Sequence, residues 1–271
     1  MTYMITDILH FNQIIFEFYQ ENKRSFVWRD VDNPYWILVS EIMLQQTQTF
    51  RVEHKFEQFV TALPSFEALA EAPFPLVLAL WKGLGYNRRA KYLKESAQKV
   101  MSEFGGILPQ EPAILERFPG IGPNTARSIS TFAFNLPHVF IETNIRAVFI
   151  HHFFPKREKI DDKELLPLIE QTLDKQNPRQ WYYALMDYGV YLKKNFINPS
   201  RRSKHHAKQS KFEGSDRQIR GQILEQLLRH SRLKQEGFYD LLLFNTDRID
   251  RVIKQLLSEG LIRQKDEVYF L

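Results

Sequence analysis

At 271 residues, with 44% hydrophobic and 25% charged residues, the chain has the composition of a soluble globular protein of two or three compact units. Thirty-seven basic against 32 acidic residues leave a net charge of +5, and the pI near 9.2 suits a polyanionic partner, although many soluble proteins are as basic. The absence of cysteine excludes disulfides, zinc–thiolate sites and any cysteine-held iron–sulfur cluster.

In chain order, MTYMITDILHFNQ carries Asp7 among its apolar residues and is not expected to be a secretory signal. No apolar run approaches the roughly 20 residues of a membrane helix, so a cytoplasmic protein is expected, nucleoid-associated if bacterial, with no membrane contact. Residues 5–20 have the apolar spacing of a surface helix, and Phe26 to Pro34 reads as a loop. Tyr35 to Leu44 is apolar except for Ser40 and Glu41. A carboxylate there either lines a cleft with its pKa raised by desolvation, or is a boundary glutamate tied to an arginine. The amides of Gln45, Gln46 and Gln48 that follow are either an exposed helix end or a set that enters a groove and fills the gap left by a displaced base.

Residues 52–82 predict two helices, broken at Leu63-Pro64-Ser65 and at Ala72-Pro73-Phe74-Pro75. Lys82-Gly83-Leu84-Gly85-Tyr86-Asn87-Arg88-Arg89-Ala90-Lys91 mixes cations with an exposed-looking aromatic. This suits a nucleic-acid strand, with Arg88 for phosphate and Tyr86 for stacking, or else a solvated helix start. A long helix over 88–104 stops at Gly105-Gly106.

The chain is organised around Phe118-Pro119-Gly120-Ile121-Gly122-Pro123, flanked by apolar helical runs. The glycines permit a tight turn and Pro123 suits a first helical position. Such a hairpin is either a plain turn or a phosphate site built from the amides around Gly120, Ile121, Gly122, Asn124 and Thr125. Glu142 precedes another apolar run and is expected at the mouth of the next helix.

Beyond Pro155 a helix is predicted over about 162–173, with Pro167 kinking it or marking its start, and an aromatic helix over 181–194. Asp187 on the latter is read as structural. The 198–215 stretch, with Arg201, Arg202 and Lys204, is a basic linker that follows a phosphate backbone or acts as a tether. His151, His152, His205 and His206 lack partners at metal-ligand spacing. Residues 216–271 predict three helices and a terminal hairpin turning at Lys265-Asp266, a winged-helix pattern with Arg248, Arg251 and Lys254 on its third helix, for DNA or for protein.

The runs Ser40-Glu41-Ile42-Met43-Leu44-Gln45-Gln46-Thr47-Gln48, Trp81-Lys82-Gly83-Leu84-Gly85-Tyr86, Pro119-Gly120-Ile121-Gly122 and Met186-Asp187-Tyr188-Gly189 closely resemble the MutY-type adenine-specific mismatch DNA glycosylases. These belong to the helix–hairpin–helix superfamily with endonuclease III, and the resemblance spans roughly residues 5–195. It implies an all-helical fold of two lobes with DNA and a flipped base between them. The expected lobes are 1–35 plus 146–197, and 36–145 with the hairpin. A basic linker, 198–215, and a winged-helix-like α+β module, 216–271, follow.

The resemblance further implies Glu41 as the acid that protonates adenine, Gln45 as a residue inserting into the duplex and Tyr86 as the wedge beside the opposite base. Glu142 matches the catalytic aspartate and Asn144 an asparagine beside it. An alkali-metal ion on the hairpin carbonyls 117–122 is also implied, with no side-chain metal ligand. Four departures stand out. Glu142 is one methylene longer than the family aspartate, which bears on rate or target base. Asn124 occupies the position of the strand-cleaving lysine, so little or no lyase activity is expected. The basic linker replaces the iron–sulfur loop, and no 8-oxoguanine-recognition domain is matched.

Glycosidic cleavage needs a proton donor to the leaving base and an anion for the oxocarbenium-like sugar, and two carboxylates can divide those roles. The expected function is therefore monofunctional excision of mispaired adenine from double-stranded DNA by a monomer without cofactors. The alternatives are excision of thymine, uracil or hypoxanthine, or a catalytically decayed protein that binds DNA lesions.

Overall fold

A computed structural model describes the chain from Ile5 to Leu271, with side chains described from Asp7 onward. Residues 1–4 of the first expected lobe, and the Ile5 side chain of its apolar stripe, lie outside the described residues. In chain order the helices are α1 (Ile5–Asn22), α2 (Pro34–Leu44), α3 (Thr49–Ala62), α4 (Phe66–Glu71), α5 (Phe74–Trp81), α6 (Arg88–Phe104), α7 (Pro112–Leu115), α8 (Pro123–Phe134), α9 (Thr143–Phe153), α10 (Asp162–Thr172) and α11 (Pro178–Asn195). The last segment runs α12 (Asp216–His230), β1 (Arg232–Lys234), α13 (Gln235–Leu241), α14 (Thr246–Ser258), β2 (Arg263–Lys265) and β3 (Val268–Phe270). Its strands form one antiparallel sheet in the order β1-β3-β2, the helix–strand–helix–helix–hairpin succession of a winged helix. Among the described residues no helix is long and apolar enough to cross a membrane.

Local signals explain most boundaries. Asn33 caps α2, its Oδ1 accepting from the amides of Tyr35 and Trp36 at 3.0 and 3.3 Å, with Pro34 at the first helical position. The 52–82 stretch is three helices rather than two, because Ser65 accepts from the Ala68 amide and starts α4 between the two proline breaks. At Asp161 a capping box with Glu164 opens α10, so Pro167 lies inside that helix instead of starting it. Strand β1 was not expected: three residues are too few for an alternation to register.

Two compact units result. One holds residues through Glu41, Gln110–Arg117 and Ile121–Lys208; the other holds Ile42–Pro109, Phe118–Gly120 and Gln209–Leu271. The first differs from the expected lobes in containing α7 and α8, because the aromatic residues anticipated as core filling pack there. Phe132 of α8 stacks on Tyr183 at 4.6 Å, and Phe140 stacks on Tyr182 at 4.0 Å. In the second unit the winged module has its own core, including Ile223, Phe238, Val252 and Leu256, and Leu78 of α5 joins it. Glu259 after α14 takes Arg88 and Arg220 as ion partners, and Lys91 donates to its carbonyl.

The expected linker is partly folded. Pro199–Arg202 is a 3-10 turn, and Ser203 pairs with Ile160. Arg202, expected on DNA, has its guanidinium engaged within the fold: it donates to the carbonyls of Ile150, Phe154 and Arg157 at and beyond the end of α9. Lys204 pairs with Asp161, while Arg201 stays exposed.

Asp187 is 3% exposed and organises the loop before α2. It accepts from the Arg24 amide at 2.9 Å and from the guanidinium groups of Arg24 and Arg29 at 2.7 to 3.0 Å. Asp187→Ala strands the buried Arg29 charge and is expected to cost about 3–5 kcal/mol of stability, measured by denaturant unfolding of the whole chain; a loss below about 1 kcal/mol would show the pair to be dispensable.

Candidate active site

Glu41 is the one acid on α2, next to Ile37 and Leu38, which are at most 1% exposed. Its Oε2 lies 2.5 Å from the Ser128 hydroxyl of α8, which also lies 3.1 Å from the Thr125 carbonyl. One hydroxyl hydrogen serves both contacts. When Glu41 is ionised Ser128 donates to it; when Glu41 is protonated the carboxyl can donate to Ser128, whose hydrogen then turns to Thr125. Burial pushes the Glu41 pKa up to about 7, and the negative charge of Glu142 adds to the rise. The Ser128 hydrogen bond and the Arg29 charge work the other way. The arginine-tied alternative does not hold, because Arg29 is already engaged with Asp187.

Glu142 caps α9: Oε1 accepts from the amides of Asn144 and Ile145 at 2.8 and 3.0 Å, and Oε2 accepts from the Asn144 side chain at 3.2 Å. The side chain thus folds back onto the first turn of α9. The preceding loop is tied down by Asn124, whose Oδ1 accepts from the Ile141 amide at 3.3 Å. Gly189 of α11 lies under the same turn: a Cβ there would meet the Asn144 carbonyl oxygen at 2.5 Å. Met186-Asp187-Tyr188-Gly189 therefore serves two jobs, with Asp187 holding the loop before α2 and Gly189 admitting α9. Glu41, Glu142, Asn144, Asn124 and Thr125 all belong to the first unit, with Ile121, Gly122, Arg201, Arg202 and Lys204.

The second unit holds Gln45, Gln46, Gln48, Tyr86, Arg88 and Gly120. Arg89 binds their loops together. One guanidinium nitrogen donates to the carbonyls of Ile42, Met43 and Gln45, the other to the Thr47 hydroxyl and the carbonyls of Leu84 and Gly85. Its charge also faces the Tyr86 ring at 5.4 Å. Burial lowers its pKa to about 10. Gln46 and Tyr86 have positive φ, 55° and 48°. Gln45 donates to the Gly120 carbonyl at 3.3 Å, and Gly120 (φ 72°) admits the Tyr92 ring where a Cβ would collide at 2.5 Å. Gly122 starts α8 without a side-chain cap, leaving that helix end open to an anion. Arg88, expected on DNA, is instead paired with Glu259, and Gln209 donates to the Tyr86 hydroxyl.

The profile of the HhH-GPD superfamily base excision DNA repair proteins matches residues 39–173. Residues 39–173 are thus an HhH-GPD domain. Adenine DNA glycosylase of Buchnera aphidicola (subsp. Baizongia pistaciae) is 32% identical over 192 residues, 69% of this chain and 54% of that protein. The enzyme of the same name from Mycolicibacterium smegmatis is 29% identical over 268 residues, covering 92% of both chains. This chain thus spans about half the length of the Buchnera relative and nearly all of the mycobacterial one. The solved structure of a thermostable thymine-DNA glycosylase superposes with a TM-score of 0.61 at 25% identity, over 68% of this chain and 87% of that one.

Within this HhH-GPD framework three residues escaped the sequence reading. Ser128 carried no signal, since a serine on a helix interior is unremarkable until its partner is known. Arg89 was one of four cations in a basic run, with nothing to mark it as the buried one. Lys193 is half-buried and its pKa is lowered by desolvation, with the Glu142 charge opposing that shift. The adjacent histidines on α9 are structural: His152 bonds the Tyr188 hydroxyl at 3.1 Å, and burial pushes its pKa down to about 4.

Folded protein keeps Glu41 protonated to about pH 7, whereas an unfolded glutamate releases its proton near 4.5. This site therefore makes the fold less stable as pH rises through that window. Glu41→Gln is expected to stabilise the chain at pH 8 by on the order of 1–3 kcal/mol, a gain that vanishes near pH 4. Denaturant unfolding at the two pH values checks this, and an equal difference at both would exclude a raised pKa.

Proposed function

We propose that this chain is a monofunctional DNA glycosylase of base excision repair that hydrolyses the N-glycosidic bond of adenine flipped out of a mispair. It works as a monomer on double-stranded DNA in the cytoplasm. The observation that carries this reading is a buried carboxyl with a pKa of about 7, bonded to Ser128 and within electrostatic reach of a second carboxylate locked on a helix N-terminus. The names of the Buchnera and mycobacterial relatives support the choice of base.

In this mechanism Glu41 gives its proton to a ring nitrogen of the extruded adenine. The bond from C1′ to the base breaks and its electron pair leaves with the protonated base. The Glu142 carboxylate stabilises the positive sugar, and water adds to C1′ and returns a proton to the carboxylate pair. The backbone hydrogen bonds that fix Glu142 preorganise the anion before charge develops. With asparagine at position 124, that site has no amine for a Schiff base, and the product is an abasic site in an unbroken strand. The uncapped start of α8 would take a phosphate beside the flipped nucleotide, and the hairpin carbonyls 117–122 would hold any alkali-metal ion bound there, supplying positive charge to that phosphate. Gln45, Gln46, Gln48 and Tyr86 fill the duplex around the extruded base.

Duplexes with each mismatch and with uracil or hypoxanthine, incubated with protein and treated with or without hot alkali, decide the substrate. Alkali-dependent nicks at mispaired adenine are expected. Nicks at thymine, uracil or hypoxanthine would reassign the base, and binding without nicks would leave a lesion-recognition protein. Glu41→Gln and Glu142→Gln are each expected to slow single-turnover excision by about 10²–10⁴-fold. Since the acid must be protonated, the rate should fall as pH rises through about 7. Ser128→Ala removes a hydrogen bond that lowers the Glu41 pKa, so the falling limb should move to higher pH; a shift to lower pH contradicts the assigned pairing.

A further inference from the structure

We propose that the outer face of the winged-module sheet is a second docking surface for duplex DNA, taking the sugar–phosphate backbone. The register places the side chains. Arg232 and Arg263 both pair with Phe270, while Lys234 and Lys265 both pair with Val268. Directly paired residues share a face and alternate residues return to it, so these four cations and the two apolar residues lie on one side of the sheet. On the other side Tyr269 is 5% exposed and packs against Phe238. All four cations are exposed, and Val268 and Phe270 are half-buried between them.

The module's other basic residues separate from these by their partners. Arg248 and Arg251 of α14, the helix a winged fold commonly presents to DNA, are both paired with Asp216. Arg220 is paired with Glu259 and Arg229 with Glu225. Arg217 donates to the Ser210 carbonyl, and Lys254 stands apart on α14. Among the described residues the side chains of Arg232, Lys234, Arg263 and Lys265 have no ion-pair or hydrogen-bond partner. The module carries ten basic and nine acidic residues, so its overall charge is close to zero. Structural pairing has engaged most of the module's other cations, and four of the five left without a side-chain partner gather on one face of the sheet.

Strand spacing sets the cations roughly 7 Å apart along each strand and about 10 Å apart across the central strand. The apolar strip between them can lie against deoxyribose, which carries no charge. Asp266 and Glu267 occupy the hairpin tip and repel phosphate, so the backbone crosses the sheet face rather than taking the tip into a groove. Such a contact reads charge and no sequence. The ion pair of Arg88 with Glu259 and the insertion of Leu78 into the module's core fix this face to the unit that carries Tyr86. The inference rests on the proposed function only in taking duplex DNA as the ligand.

The test uses the whole chain and an undamaged, fully paired duplex. The variant Arg232→Gln/Lys234→Gln/Arg263→Gln/Lys265→Gln is compared with the parent and with Arg251→Gln/Lys254→Gln on α14. Loss of four phosphate contacts should make binding about 100-fold less sensitive to salt between roughly 50 and 200 mM. The α14 variant should keep the parent's slope. Thermal unfolding reports whether the quadruple variant is folded; the edge-strand pair Arg263→Gln/Lys265→Gln gives a second, smaller perturbation that should flatten the slope by about half as many contacts. Single-turnover excision at saturating protein should be unchanged by the sheet variants, which separates loss of this grip from failure of the glycosylase reading. Parent-like salt dependence in both sheet variants, or a loss found only in the α14 variant, overturns the proposal.

Discussion

The hydrogen bond between the Glu41 carboxyl and the Ser128 hydroxyl joins the two helices on which the proposed chemistry depends. A carboxyl on so apolar a helix is costly in its charged form, and desolvation accounts for most of its raised pKa. Ser128 opposes that rise without cancelling it. The result is a group that keeps its proton near neutrality and has a single hydroxyl positioned to follow its change of state. Across from it, Glu142 meets a contrasting environment, with three N–H groups of the first helical turn already directed at its oxygens. Two residues of one chemical type are thereby given different tasks by their surroundings.

The arginines show how little of a basic composition is free to meet DNA. Arg89 is spent on five carbonyls and a hydroxyl, Arg202 on the end of α9, Arg24 and Arg29 on Asp187, and Arg88 on Glu259. Arg89 and Arg202 gather the carbonyls of loops and helix ends, whereas Arg24, Arg29 and Arg88 pair with carboxylates. A planar fork of donors suits this task better than the point charge of lysine. Arg89 in particular fixes the segment that follows α2 and the Leu84–Tyr86 turn as one piece, so Gln45 and Tyr86 are presented by a shared scaffold.

Close approach is the second device. Gly189 admits the Asn144 backbone and Gly120 admits the Tyr92 ring, each at a distance that a Cβ would prevent. The first contact sets where α9 begins, and hence where Glu142 can stand. A glycine on α11 thus governs a carboxylate more than 40 positions earlier in the chain, an effect exerted through backbone shape alone.

Local chemistry along the chain was enough for much of this protein. Proline, glycine and cap residues mark most of the helix ends, the Gly-x-Gly hairpin and the winged succession follow from their own short runs, and Glu41 stands out because a lone acid interrupts an apolar stretch. Glu142 at the mouth of α9 was likewise legible from a carboxylate placed just before an apolar helix. Other features were decided by tertiary structure: the Ser128 partner of Glu41, the burial of Arg89, the capture of Arg88 and Arg202, and the packing of α8 with α11. The difference is physical. Turn, cap and periodicity signals act over a few residues and are written side by side, whereas the state of a charge depends on which distant groups share its surroundings, and only the folded chain assembles those.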